Sequence, residues 1–260
     1  MNYDVYAHFH PDERTFVDKA IDWVEQAAYQ HKLKKTDFLD PRQAYILSTL
    51  VNRNGDVHMK LDGGYKDAER KRAMIAPDYR PLEDEEMGIS VLSLSSPDNK
   101  LDELDHGDFT GAILGLGIKR DKIGDIFVIP GGCHCLAASE VADFLRLHIN
   151  QVHRVRVHSE VLTADALKTM PVQLKEHAFT VASLRLDAIV CDVYRLSRAK
   201  AQIPIQAGRC RINWKPAGDP STLLKKGDVV SLKGFGRFRV LEVEGITKKG
   251  RIRIRVGKYA

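Results

Sequence analysis

Long hydrophobic runs are missing from this chain. Nowhere in its 260 residues do 18 apolar residues follow one another, which excludes a membrane-spanning helix. The first residues, MNYDVYAHFHPDER, bring acids early and lack the apolar stretch of a secretory leader. Both absences predict a cytoplasmic protein with no membrane partner. Cysteine is scarce: Cys133, Cys135, Cys191 and Cys210 are the only four, and none forms a Cys-x-x-Cys pair. A disulfide framework is not expected, and reduced, mostly buried thiols are. Cys133-His134-Cys135 invites a metal reading. However, strand alternation sends the two thiols to one face and the imidazole to the other, and no second ligand cluster follows, so no metal is expected. Gly115-Leu-Gly117 is not a dinucleotide loop, because Arg120 stands where the third glycine belongs and the strand follows the loop. No cofactor is expected. Internal repeats and low-complexity segments are absent too.

What is present is an ordinary globular composition, 43% hydrophobic and 29% charged, in a chain long enough for two or three domains. The net charge of +5 conceals an asymmetry. Residues 181–260 hold 18 Lys and Arg against 6 Asp and Glu, a net +12, whereas residues 1–180 hold 22 against 29, a net −7. A small module at +12 repels itself, which is tolerable mainly when the partner is a polyanion. An acidic membrane would satisfy the same charge, but no amphipathic helix with large apolar residues accompanies the basic ones.

Along the chain, Pro11 with Asp12 and Glu13 suits a helix start. Phe16, Ala20, Trp23, Val24 and Ala27 recur at helical spacing. Asp40-Pro41 is an N-cap followed by proline at the first helical position, and Asn54-Gly55 stops that second helix. A strand over Val57–Leu61 ends at Gly63-Gly64, and Ala68–Ile75 reads as a further helix. Then come a strand at Ile89–Leu94, a helix at Phe109–Leu116 and strands at Gly124–Ile129 and Cys133–Ala137. A helix capped by Ser139, with Val141, Phe144, Leu145 and Ile149 on one face, and a last strand at Val152–Val157 complete this part. That order, βαββαβ, predicts a ferredoxin-like arrangement. The glycines 111, 115 and 117 are spaced for close helix packing on the sheet. The chain therefore reads as α+β: a mixed helical domain over 1–83, a ferredoxin-like domain over 84–160, a connector over 161–180 and a small α+β module over 181–260.

That last module holds an ordered set of motifs: Ser183-Leu-Arg185-Leu186-Asp187, Arg195-Leu-Ser197-Arg198-Ala-Lys200-Ala201, Gly208-Arg209-Cys-Arg211-Ile-Asn213-Trp214 and Gly227-Asp228-Val229-Val230. Over about 70 residues it resembles the S4 RNA-binding domain, found in many proteins that contact rRNA or tRNA. The residues agree with that reading. Ser197 can cap a helix whose first-turn amides attract phosphate, and Arg198 and Lys200 stand in that turn against the helix dipole. Arg209 and Arg211 are two apart on a strand and share a face. Together with Arg185, Arg195, Gln206, Asn213 and Lys215 they can line a basic groove for structured RNA read by shape and phosphate. Pro204 predicts a break in the second helix. Arg251, Arg253 and Arg255 alternate with Ile252, Ile254 and Val256, forming either a polar outer face or an extension of the RNA surface.

Upstream, Gly63-Gly64-Tyr65 with Ala68-Glu69-Arg70-Lys71-Arg72 resembles bacterial YlmH-like proteins. So does His106-Gly107-Asp108-Phe-Thr-Gly111-Ala112 with Leu116-Gly117-Ile118-Lys119-Arg120 and Lys122-Ile123-Gly124-Asp125-Ile126. His106-Gly107 departs from that family, which commonly has Arg after the His. The resemblance implies an N-terminal domain, an RNA-binding middle domain and a C-terminal S4 domain. It also implies association with the large ribosomal subunit and with peptidyl-tRNA on stalled subunits, and a genetic link to cell division. Lys119, Arg120 and Lys122 form a basic loop, and with Arg70 and Arg72 they are secondary RNA-binding candidates.

No catalytic constellation accompanies these motifs. The one Arg-Leu-Asp, 185–187, lies inside the RNA-binding module rather than in a pseudouridine synthase domain, and no nucleophile elbow or metal-spaced cluster occurs. The sequence predicts a binding protein, not an enzyme, with rRNA or tRNA as partner and no small-molecule substrate. The alternatives are an RNA-modifying enzyme with an unfamiliar site in residues 1–150, or a scaffold linked to cell division.

Overall fold

The computed structural model describes residues 6–97, 101 and 103–259. By contact density the chain divides into Arg14–Pro171 and a second unit made of Val172–Ala260 and the segment before Arg14. In the first unit, helix α1 (Arg14–Gln30), strand β1 (Lys34–Leu39), helix α2 (Pro41–Asn52) and strands β2 (Val57–Asp62) and β3 (Lys71–Pro77) come first. The three strands form an antiparallel sheet in the order β1-β3-β2. Helix α2 begins as its sequence requires: Asp40 accepts from the Gln43 amide (2.8 Å), Gln43 returns the bond to the Asp40 amide (3.0 Å), and Pro41 needs no partner.

β3 corrects the expected helix over Ala68–Ile75. As the central strand it is buried on both faces from Arg72 to Pro77. A strand covered on both sides has no polar–apolar alternation, so its run reads as well for a buried helix. β1 escaped the sequence reading for a related reason, because its two lysines mask the strand that ends in buried Phe38 and Leu39.

The rest of this unit is ferredoxin-like. β4 (Ile89–Ser95), α3 (His106–Gly115), β5 (Ile123–Ile129), β6 (Gly132–Ala138), α4 (Ser139–His148), the small hairpin β7 (Gln151–Val152) and β8 (Val155–Arg156), and β9 (His158–Leu162) follow in turn. The sheet order is β5-β6-β4-β9, antiparallel throughout, which is the split βαββαβ topology. The last sheet strand is β9 rather than Val152–Val157, which folds into the hairpin. Ser139 does not cap α4; its hydroxyl pairs with that of Ser90 (2.8 Å). Phe144 points outward, 41% exposed. A Cβ on Gly111, Gly115 or Gly117 would meet open space, so close helix packing is not their role.

One face of this sheet packs Leu92, Leu94, Cys133 and Cys135 against Phe109 and Ile113 of α3 and Leu145 of α4. Burial drives the Cys135 thiol up to about 12 and also raises that of Cys133, leaving both inert. His134 lies on the other side, its Nδ1 accepting from the Lys168 amide (3.0 Å). That other face packs Val91, Phe127 and Leu136 against Phe38 of β1. The expected boundary at 83/84 therefore crosses a shared core.

The segments that resemble YlmH-like proteins meet at this seam. Asp125 accepts from the Tyr65 hydroxyl (2.8 Å), the Glu69 amide (2.7 Å) and the Arg70 amide (3.2 Å). Gly63 is forced by close approach: a Cβ there would sit 2.4 Å from the Arg70 carbonyl oxygen. Gly124 likewise leaves space for Phe38, whose ring would be 2.8 Å from an added Cβ.

In the second unit, β10 (Leu174–Val181), α5 (Leu186–Tyr194), α6 (Arg198–Gln206), β11 (Cys210–Ile212), β12 (Lys215–Pro216), β13 (Val229–Leu232), β14 (Gly236–Ile246) and β15 (Ile252–Tyr259) build one sheet in the order β10-β15-β14-β13-β11-β12. Its core joins Leu186, Ile189 and Val190 of α5 and Ala201 and Ile205 of α6 to Val230, Phe238, Val240, Ile254 and Val256 of the sheet. The expected connector over 161–180 is corrected at both ends. Val161 and Leu162 belong to β9, and Leu174–Val181 pairs along its length with β15.

Replacing Asp125 by Ala removes the acceptor for two backbone amides and a hydroxyl. It is expected to lower unfolding stability by about 3 kcal/mol, and Tyr65→Phe by about 1 kcal/mol, read from urea denaturation midpoints. Equal stability of Asp125→Ala and the parent would remove the seam's supposed anchor.

Candidate RNA interface

Two cations of the C-terminal module, Arg185 and Arg198, are arranged around one buried acid. Asp187 sits in the first turn of α5 with no exposed surface, and its own amide bonds to the Pro220 carbonyl (3.0 Å). Its carboxylate accepts from Arg185 through Nε and Nη2 (both 3.1 Å), from Arg198 Nε (3.1 Å) and from Gln202 Nε2 (2.9 Å). Burial alone would raise the pKa of this acid. The bonds from Arg185, Gln202 and Arg198 outweigh that and hold it well below the usual carboxylate range. Arg198 remains 64% exposed while so bound, and Arg185 33%. Each therefore keeps a guanidinium edge toward solvent in a fixed orientation.

Ser197 caps α6 as expected, its hydroxyl accepting from the Lys200 amide (3.3 Å). Lys200 is exposed in the same turn. Arg195 is exposed in the left-handed conformation (φ 53°) that ends α5, its charge at the negative end of that helix. Pro204 does not break α6, which continues to Gln206. The ring is buried near the C-terminus, and Gly208 (φ 68°) then turns the chain into β11. Gln206, Arg209, Arg211 and Lys215 are exposed along that path, with Arg209 Nη2 bonded to the Lys233 carbonyl (3.1 Å). Asn213 is exposed, and its side-chain amide has structural partners, donating to buried Asp228 (2.8 Å) and accepting from the Val229 amide (2.9 Å). These bonds shape the β11–β12 turn. Arg198 also departs from its expected role in part, since a structural partner, Asp187, explains a cation in that turn.

The secondary candidates mostly turn inward. Arg70 donates to the carbonyls of Ile123 (3.0 Å) and Phe38 (2.9 Å). Arg72, 5% exposed, donates to Thr36 (2.8 Å) and Gly88 (2.6 Å) and pairs with Glu140 (3.2 Å). Arg120 donates to the Ile123 (2.6 Å) and Gly124 (3.2 Å) carbonyls, and burial, with Arg70 beside it, pushes its pKa down to about 10. Lys122 pairs with Asp37 (2.5 Å) and Glu140 (2.9 Å). These four hold the first unit together, and Lys119 alone of the loop is exposed. On β15, Arg253 faces Glu244 (3.7 Å) and Arg255 faces Glu176 (3.4 Å) and Glu244 (3.5 Å), which makes that stripe a paired outer face. Among the described residues no group of three His, Cys, Asp or Glu could hold a metal.

Sequence reasoning missed Gln202 and the central place of Asp187. The available signal was an acid in the first turn of α5, two residues after one cation and eleven before another. Asp187→Asn leaves the shape and removes the charge that both arginines share. We expect it to destabilise the C-terminal unit by about 2 kcal/mol at pH 7, a value reduced for the solvent access of the arginines. Because the folded-state pKa is depressed, the contribution is complete above the ordinary carboxylate value, about 4, and is lost as pH falls toward the folded one. The gap between parent and Asp187→Asn in denaturant midpoint should therefore shrink between pH 7 and pH 2.5. A gap independent of pH would contradict the ion-pair assignment.

Comparison with known proteins agrees with this architecture. Family models match in three successive stretches: "YlmH, N-terminal" over residues 12–80, "Putative RNA-binding domain in YlmH" over 82–166, and "S4 domain" over 184–230. The chain is 37% identical over 251 residues to the Ribosome-associated protein quality control protein P2 of Bacillus subtilis, covering 96% of this chain and 97% of that one. A solved structure, Cell division protein ylmH from Streptococcus pneumoniae, superposes with a TM-score of 0.55 at 23% identity, covering 62% of this chain and 98% of that one, a likeness of fold. With three consecutive domain matches and a relative aligned nearly end to end, the chain belongs to the YlmH family of S4-domain RNA-binding proteins.

Proposed function

We propose that this protein is a cytoplasmic adaptor that binds structured rRNA or tRNA through its C-terminal module. We further propose that it acts on the large ribosomal subunit carrying peptidyl-tRNA. The observation that carries the reading is the Asp187-centred cradle at the start of α6. There Arg185 and Arg198 are held in place with solvent-facing edges, next to exposed Lys200 and the capped helix terminus. Such an array suits phosphates at fixed spacing, as a stem of RNA presents them. The relative named for ribosome-associated quality control supports the choice of ribosome over free RNA. Its work is positional: preferential binding to one state of the RNA stabilises that state by its difference in affinity. The outward cations of the site are Arg185, Arg195, Arg198, Lys200, Arg209, Arg211 and Lys215, with Gln206 beside them. The acidic part of the chain, residues 1–180 at net −7, discourages non-specific RNA contact.

The test is sedimentation of lysate through a sucrose gradient, parent against Lys200→Ala/Arg209→Ala, a pair that leaves the Asp187 bonds intact. The parent is expected to travel with large subunits and the variant to remain near the top. In a purified RNA titration, the slope of log affinity against log salt should fall by about one per lost phosphate contact. A parent that stays at the top of the gradient at low salt would remove the ribosome from the reading.

A further inference from the structure

The hairpin between β11 and β12 turns on Asn213 and Trp214, both with left-handed backbone (φ 49° and 64°). Two successive residues of positive φ make a type I′ turn, where the second place strongly favours glycine. A bulky aromatic there is a rare conformer that carries a backbone penalty. The Trp214 side chain makes no hydrogen bond that holds the turn; only its main-chain carbonyl takes part, accepting from Arg211 Nη1 (3.5 Å). The Asn213 amide donates to the Val229 carbonyl (2.8 Å), and its side chain bonds Asp228 and the Val229 amide. Nor is the indole among the apolar residues packed on the C-terminal core, among the described residues. The ring is half-buried and lies 5.9 Å from the guanidinium of Arg237, which is itself 4.1 Å from the Tyr259 ring. Exposed Arg211 and Lys215 flank the turn on its two strands.

A tryptophan standing where glycine fits best, outside the core and among cations, has the composition of a surface that takes a flat, electron-rich ring beside a phosphate. We propose that Trp214 is a stacking platform for one unpaired RNA base, with Arg211 and Lys215 meeting the phosphates on either side of it. The proposal deepens the RNA-binding reading and rests on it. It narrows the ligand class to a stem interrupted by a bulged or flipped nucleotide, as opposed to continuous duplex. The stack is indifferent to base identity, because every base offers a π face.

The experiment uses the full chain and two labelled RNAs, one stem with a single bulged nucleotide and the same stem fully paired. Binding is followed by anisotropy for the parent, Trp214→Gly, Trp214→Phe and Lys200→Ala/Arg209→Ala. Trp214→Gly is expected to bind the bulged stem on the order of ten- to a hundredfold more weakly and the paired stem as the parent does. Trp214→Phe should keep most of the affinity for the bulge, and the Lys200/Arg209 variant should lose affinity for both stems alike. Trp214→Gly should melt no lower than the parent, since glycine relieves the turn. The stacking proposal is overturned, with RNA binding intact, if Trp214→Gly treats both stems as the parent does. It is equally overturned if the variant loses affinity for both equally, or melts far lower with its preference between the stems unchanged. A parent that binds neither stem overturns the RNA reading and the stacking proposal together.

Discussion

Two arginines and a glutamine converge on a carboxylate that has no contact with water, and the geometry of the C-terminal module follows from that convergence. Cations in the first turn of a helix oppose its dipole, and a unit at +12 repels itself. From the first turn of α5, Asp187 offsets both effects by binding Arg185, Arg198 and Gln202 at 2.9–3.1 Å. Burial of the acid makes the arrangement specific: without partners the charge could not stay there, so its partners' positions are fixed. The same bonds thus serve the fold through the inner edges of the guanidinium groups and hold their outer edges toward solvent.

The first unit uses the same residue types in the opposite way. Arg70, Arg72 and Arg120 direct their donors at main-chain carbonyls of Thr36, Phe38, Gly88, Ile123 and Gly124. They fasten the N-terminal strands to the ferredoxin-like sheet, across a seam whose other tie is Asp125 with Tyr65 and the amides of Glu69 and Arg70. Gly63, Gly124 and Asp125 of those motifs are explained by close approach and bond geometry at this seam. A basic residue in a shared motif is therefore as good a candidate for a strut as for a phosphate contact, and burial distinguishes the two.

Local signals were legible in the sequence. The Asp40-Pro41 cap, the alternation of the middle strands, the βαββαβ order and the Ser197 cap all depend on residues within a few positions of one another. What depends on distant partners was not. Lys71–Pro77 lost its alternation because both faces are covered, and Asn213 finds Asp228 fifteen residues away. The donors of Arg120 are engaged by the turn of its own loop, which a count of charges cannot show. At the site, the outward set Arg195, Lys200, Gln206, Arg209, Arg211 and Lys215 was readable as a group. The buried organiser was not, because an acid among cations looks like a reduction in charge.

The edge strand β10 has a practical bearing on how the module can be separated from the rest. The family match for the S4 domain begins at residue 184, after the strand that covers β15 from Ile252 to Tyr259. A fragment that starts at residue 184 and runs on through β15 keeps α5 and α6 but strips the neighbour from β15, leaving a row of unsatisfied main-chain groups beside Ile252, Ile254 and Val256. Such an edge invites pairing between copies. Excised from residue 172 onward, with its strand retained, the module carries its own protection against self-association.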